Sequence, residues 1–206
     1  MQTRIIKLSE YGISRAAQLA ADIIKQGGTA AFPTDTVYGL GAAYNNAEAV
    51  RKIFEAKGRP ENKPLSVLIS DRMQAERLAI HIPQRAYELM DEYWPGALTF
   101  IFEKNTEAGI ADEVTAGGNT IGLRMPDSPL ALEIIKAAGT PVAAPSANIS
   151  GARSASSAEQ VIEDLCGRVD MIIDGGDCPI GISSTIIDAS AGDWKVLRQG
   201  SINIRG

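Results

Sequence analysis

Apolar positions fall into helical stripes and short runs that alternate almost throughout the chain. From Ile13 to Gln26, Ala16, Leu19, Ala20, Ile23 and Ile24 recur at three- and four-residue spacing, and Gly27-Gly28 ends the pattern. This predicts a helix with one buried face. Thr29 to Phe32 is short and apolar, as a buried strand is. Ala47 to Ala56 is a second helix, with Asn46 as its N-cap and Val50, Ile53 and Phe54 facing inward. Leu65 to Ile69 predicts a strand, and Pro83 to Tyr93 a helix opening on proline. Ala97 to Phe102, branched and aromatic, and Thr120 to Arg124 are further strands.

The second half continues in the same way. Pro129 to Ala138 is a helix bounded by Ser128-Pro129 and Gly139. Val142 to Ala144 is a short strand. Ser156 and Glu159 have the spacing of a capping box before a helix over Val161 to Leu165. Val169 to Asp174, Thr185 to Asp188 and Trp194 to Arg198 are strands, the last reached through a turn at Ala191-Gly192-Asp193. No repeat, low-complexity tract or linker interrupts the alternation. The expectation is one α/β domain over residues 1–206 with a mixed sheet, its strand order left open.

Bulk properties narrow the classes. The chain has 206 residues, 45% hydrophobic and 22% charged, ordinary values for a globular protein. No apolar run approaches the roughly 20 residues of a membrane helix, and Met1 to Glu10 lacks the apolar stretch of a signal peptide, so the cytoplasm is expected. A net charge of −5 argues against a globally electrostatic nucleic-acid binder but leaves room for a local basic groove. Two cysteines, Cys166 and Cys178, predict no disulfide framework. The single histidine, His81, excludes multi-histidine metal sites and reads as a loop residue between helices.

Against that background two polar segments stand out. Lys57-Gly58-Arg59-Pro60, with Lys63 behind it, places three cations within seven residues of an acidic chain. The helix runs out at Gly58 and Pro60 holds the chain extended, so Lys57, Arg59 and Lys63 are expected to project from a constrained loop. Arginine offers a planar fork to phosphate oxygens and lysine a mobile point charge. Pro145-Ser146-Ala147-Asn148 is a small-residue loop rich in hydrogen-bonding groups. Brought together, the two would make a pocket for a polyphosphate such as ATP. Neither is a Walker A loop or a dinucleotide-binding glycine fingerprint.

Other segments fit the same theme. Phe32-Pro33-Thr34-Asp35-Thr36-Val37-Tyr38-Gly39-Leu40-Gly41 runs from a strand into hydroxyls and glycines. Two readings fit it equally: hydroxyls orienting a ligand, or a turn in which Asp35 and the threonines bond their own backbone. Arg124 alternates with Thr120 on one strand face, which suits a carboxylate clamp or a salt bridge. Gly181-Ile182-Ser183-Ser184-Thr185 is a donor-rich strand entry, and Arg198 lies in Val196-Leu197-Arg198-Gln199-Gly200.

PTDTVYGLG, KGRP followed by KPLSVLI, TIGLRMP, APSANISG, SSTIID and VLRQG resemble, in order and spacing, the YrdC/Sua5 family, over about Ile13 to Gly200. Lys57 and Arg59 (KxR) with Ser146 and Asn148 (SxN) form its hallmark. The resemblance implies a single YrdC/RibB-like domain: a twisted mixed sheet flanked by helices, with a concave, positively lined groove and no second Sua5-type domain. It implies a nucleotidyltransferase that makes L-threonylcarbamoyladenylate and pyrophosphate from L-threonine, bicarbonate and ATP with Mg²⁺. The product would feed threonylcarbamoylation of tRNA adenosine 37 through TsaD, TsaB and TsaE. Residue by residue, it implies Lys57, Arg59 and Lys63 at the triphosphate, with Lys57 and Arg59 aiding catalysis. It implies Thr120, Ser146, Asn148 and Arg198 at the nucleotide, and Thr36, Arg124 and Ser184 at threonine. Some members carry histidine where this chain has Leu68. The alternatives are a YciO-like protein, or a non-catalytic module binding nucleotide, tRNA or double-stranded RNA.

Overall fold

A computed structural model describes residues 2–191 and 194–204. The chain begins with β1 (Arg4–Lys7), α1 (Leu8–Lys25), β2 (Ala30–Phe32), β3 (Gly39–Ala43) and α2 (Ala47–Lys57). It continues through β4 (Ser66–Leu68), α3 (Arg72–Leu78), β5 (Ala79–Ile80), α4 (Gln84–Tyr93) and β6 (Leu98–Lys104). A 3₁₀ turn (Thr106–Ala108), α5 (Asp112–Thr115), β7 (Thr120–Arg124), α6 (Pro129–Ala138) and β8 (Val142–Ala143) follow. The last elements are α7 (Ala158–Leu165), β9 (Met171–Asp174), β10 (Thr185–Asp188) and β11 (Lys195–Arg198).

Local chemistry explains the boundaries. Asn46 caps α2 by accepting from Ala49 N–H, as expected. At the other end Gly58 takes a left-handed φ of 57°, and Arg59 N–H returns to the Phe54 carbonyl at 2.9 Å. In α6, Ser128 caps, Pro129 opens the first turn and Gly139 closes it at φ 68°. Gly12, at φ 70°, breaks α1, so the regular helix starts at Ile13. The cap of α7 is Ser157 rather than Ser156. Two overlapping capping patterns compete there. The Ser157 register puts Ala158, Val161 and Leu165 together on the buried face. Two residues of the expected turn at 191–193 lie outside the described residues.

The described strands form an 11-stranded mixed sheet in the order β1-β9-β2-β3-β8-β4-β7-β6-β10-β11, with β5 added beside β6. The period-two alternation of strands divides its apolar side chains between two layers. On one face α1 and α6 pack together over β9, β2 and β8, burying Ile24, Ile134, Phe32, Val142 and Ile173. Leu68 of β4 is the last strand residue in that layer. On the other face Val50, Ile53, Met90 and Val161 pack against Val67, Leu123, Phe100 and Ile187.

Beyond Leu68, among the described residues, no helix packs on the first face. Register places Leu68 beside Arg124 and Thr99 beside Ile186, which in turn pairs with Arg198. Because Phe100 faces Leu123, Thr99 also lies beside Arg124. The row Leu68, Arg124, Thr99, Ile186, Arg198 is therefore the uncovered floor of a groove, bordered by the loops leaving β2 and β8.

β3 is an element the pattern did not predict. It pairs with both β2 and β8 although two of its five residues are glycine. Packing explains the composition: a Cβ on Gly41 would lie 2.7 Å from Val142 Cγ1 and 2.8 Å from Phe32 Cε1. Gly41→Ala is expected to destabilise the protein by about 1–3 kcal/mol, seen as a lower urea midpoint at unchanged slope.

Candidate active site

The groove narrows to a cavity of about 170 Å³ that opens to solvent. Its floor is the row of side chains just described. The loop after β2 supplies one wall, with Thr34 and Thr36. Arg59, Ser66, Ser146 and Ser184 also line the cavity. Among the described residues three guanidiniums, Arg59, Arg124 and Arg198, line it and no carboxylate does.

Arg124 is 6% exposed, and its fork is already held. Nε donates to Gly96 O at 2.9 Å, Nη1 to Thr36 Oγ1 at 2.7 Å and Nη2 to Asp35 Oδ1 at 2.5 Å. A guanidinium has five N–H groups, so two remain for a ligand. Burial lowers its pKa, and the neighbouring Asp35 carboxylate opposes that shift. Asp35 is itself 5% exposed, and its Oδ2 has no hydrogen-bond partner among the described residues. Removing one member of such a pair strands a buried charge, at about 3–5 kcal/mol.

The sequence offers Asp35 only as a turn residue bonding its own backbone, but its carboxylate holds the Arg124 fork instead. Its signal was its place between two threonines in segments otherwise poor in carboxylates. Of that segment only Thr34 makes the turn bonds to its own backbone, and Thr36 and Asp35 turn to Arg124. Thr34 bonds its own backbone, accepting from Thr36 N–H and donating to Val37 O at 2.7 Å, while Thr36 meets the Arg124 fork.

Ser184 shares a 2.8 Å hydrogen bond with Thr99, another residue the sequence did not mark. Arg198 Nη2 donates to Ser184 O at 2.8 Å, and both burial and the like charge of Arg124 lower the Arg198 pKa. Gly200 lets the chain pass this point: a Cβ there would lie 2.2 Å from Ser183 O. Arg59 Nη2 donates to Pro64 O at 2.9 Å and Nε to Lys63 O at 3.3 Å, leaving the rest of its fork for the cavity.

The two hallmark segments meet. Lys57 Nζ donates to the carbonyls of Ser146 and, at 2.5 Å, Asn148. Its ammonium is thus turned into the protein, and Lys57 lies outside the cavity lining with 1% exposure. Burial, and secondarily the charge of Arg59, pull its pKa from 10.5 to about 8. Asn148 is also buried, its Nδ2 donating to Ile149 O at 2.8 Å and Ala152 O at 3.0 Å.

Lys63 and Thr120 are exposed and lie outside the lining. Thr120 shares the face of Arg124 but stands at the far end of β7, opposite Glu103. His81 sits on the surface, its Nδ1 2.9 Å from Glu103 Oε2.

The threonylcarbamoyl-AMP synthase of Bacillus subtilis is 48% identical over 183 residues, covering 89% of this chain and 53% of its own. The structure of Pyrococcus abyssi Sua5 complexed with L-threonine superposes with a TM-score of 0.90 at 42% identity, over 97% of this chain and 58% of that one. Escherichia coli YciO superposes with a TM-score of 0.84 at 25% identity, covering 97% of this chain and 96% of that one. The chain spans about half the length of the B. subtilis and P. abyssi relatives. The family whose described theme is telomere recombination, Sua5/YciO/YrdC, matches residues 22–200, and the chain belongs to it.

Proposed function

We propose that the cavity joins L-threonine, bicarbonate and ATP into L-threonylcarbamoyladenylate, with release of pyrophosphate. The observation that carries this reading is the convergence of Arg59, Arg124 and Arg198 on one cavity in a chain of net charge −5. That arrangement suits two anionic substrates held side by side. The likeness to a Sua5 complexed with L-threonine supports it, as do relatives named threonylcarbamoyl-AMP synthase. YciO is the less similar of the compared proteins, at 25% identity.

In this reading the amine of threonine and bicarbonate form a carbamate and release water. A carbamate oxygen then attacks the α-phosphorus of ATP. The new P–O bond forms as the bond to the bridging oxygen breaks, and pyrophosphate leaves with that electron pair. No covalent enzyme intermediate is needed, so the protein acts by placement and by electrostatics. The two unused N–H groups of Arg124 would take the threonine carboxylate, with Thr36 and Ser184 beside it. Arg59, Arg198 and Ser146 would face the phosphates.

Magnesium belongs to the nucleotide here. Among the described residues no cluster of three acidic, histidine or cysteine side chains could cage an ion. Phosphate oxygens and water would hold it and spread the phosphate charge. The adenylate would then pass to TsaD, TsaB and TsaE-type proteins for tRNA modification. Among the described residues no helix is long and apolar enough to cross a membrane.

Arg59→Ala is expected to lower pyrophosphate release about 100-fold in a folded protein, checked by a coupled phosphate assay. Near-normal turnover would contradict the assignment. Arg124→Lys keeps the charge opposite Asp35 but loses the fork. It is expected to raise the threonine KM about tenfold and leave the ATP KM within about twofold. Equal shifts in both would argue against the carboxylate role. A non-catalytic RNA binder would instead show salt-sensitive RNA affinity and no turnover.

A further inference from the structure

Lys57 is placed unlike a phosphate ligand. An ammonium has three protons, and two of those on Lys57 are directed at main-chain carbonyls. Those carbonyls belong to the peptides 146–147 and 148–149. The N–H of each peptide is held from the opposite side. Ala147 N–H donates to Tyr38 O at 2.8 Å, and Ile149 N–H donates to Asp164 Oδ2 at 3.0 Å. The Lys57 carbonyl in turn accepts from Ser150 N–H at 2.8 Å. Both ends of these two alternate peptide planes are therefore fixed, with the ammonium as their shared anchor.

Helix geometry explains how a lysine comes to be there. Val50, Ile53, Phe54 and Lys57 recur at i, i+3, i+4 and i+7, the apolar stripe of α2. The side chain continues the buried face, and its charge ends against carbonyl dipoles. Arg59, two residues later, is already past the left-handed Gly58 and lines the cavity. In the second motif Ser146 lines the cavity, while the Asn148 amide closes the turn on Ile149 and Ala152. Each motif thus has one member at the cavity and one in the frame behind it.

We propose that Lys57 is a positioning residue. Its ammonium fixes the Ser146–Asn148 loop so that Ser146 faces the same cavity as Arg59, and it does not touch the nucleotide. The proposal rests on the reading of this cavity as an ATP site.

A double-mutant cycle on kcat/KM for ATP separates this role from direct phosphate contact. Lys57→Met is expected to lower pyrophosphate release about 100-fold in the native background, but only about threefold in a Ser146→Ala background. Against Arg59→Ala its effect should stay close to multiplicative. Full, independent losses in both backgrounds would overturn the proposal. If Lys57→Met does not fold, the native protein crystallised with α,β-methylene-ATP decides the matter. The Lys57 amine should remain on both carbonyls. A phosphate oxygen within about 3.2 Å of it would overturn the proposal. Native protein that neither binds ATP nor releases pyrophosphate would overturn the synthase reading, and this proposal with it. Turnover together with an independent Lys57 effect would overturn this proposal alone.

Discussion

Everything at the cavity depends on the two-residue period of the strands, applied where helical cover stops. Successive side chains of a strand take opposite faces. Across β4, β7, β6 and β10 that rule sends Val67, Leu123, Phe100 and Ile187 into the main core. It sends Leu68 to the edge of the α1–α6 layer and Arg124, Thr99 and Ile186 to the part of that face the two helices leave bare. A slip of one residue in β7 would exchange Leu123 with Arg124, placing a guanidinium in the core and leucine in the cavity. Core packing and site placement are therefore one constraint, and the apolar half of the alternation keeps the polar half in register.

Gathering three guanidiniums around a small cavity is electrostatically costly. Burial lowers the pKa of each, and for Arg198 the charge of Arg124 adds to the effect. The fold offsets this with neutral acceptors around the cavity and one carboxylate, Asp35, outside its lining. Asp35, Thr36 and the Gly96 carbonyl hold Arg124, the Ser184 carbonyl holds Arg198, and the Pro64 carbonyl holds Arg59. The cavity surface keeps positive character, and the forks stay aimed before any substrate arrives. Prearranged donors of this kind are what phosphoryl-group chemistry without a covalent intermediate asks of a protein. Lys57 belongs to the same scheme one layer further back.

How much was legible in the sequence follows from what each element depends on. α6 was readable because Ser128, Pro129 and Gly139 mark its ends locally. β7 was readable from its own residues, Thr120 to Arg124. β3 was not, since Gly39 and Gly41 are there for the sake of Phe32, Ala144 and Val142, partners distant in the chain or in the strand pair. Strand order likewise depends on long-range pairing. At the site, Thr36, Arg59, Arg124, Ser146, Ser184 and Arg198 were marked by residue type and all line the cavity. Thr120 shares the Arg124 face, but four residues of strand carry it roughly 13 Å away. Lys57 was grouped with Arg59 by charge, although its place on the α2 stripe already pointed inward. Asp35 and Thr99 gain their roles from partners distant in the chain, Arg124 and Ser184, that a linear reading does not supply.

The most direct test of the account is pyrophosphate release by the native protein with each substrate omitted in turn. Release should require L-threonine, bicarbonate and ATP together, with a product of the mass of threonylcarbamoyladenylate. Pyrophosphate release that ignores threonine, or the absence of that adenylate when all three are present, would contradict it.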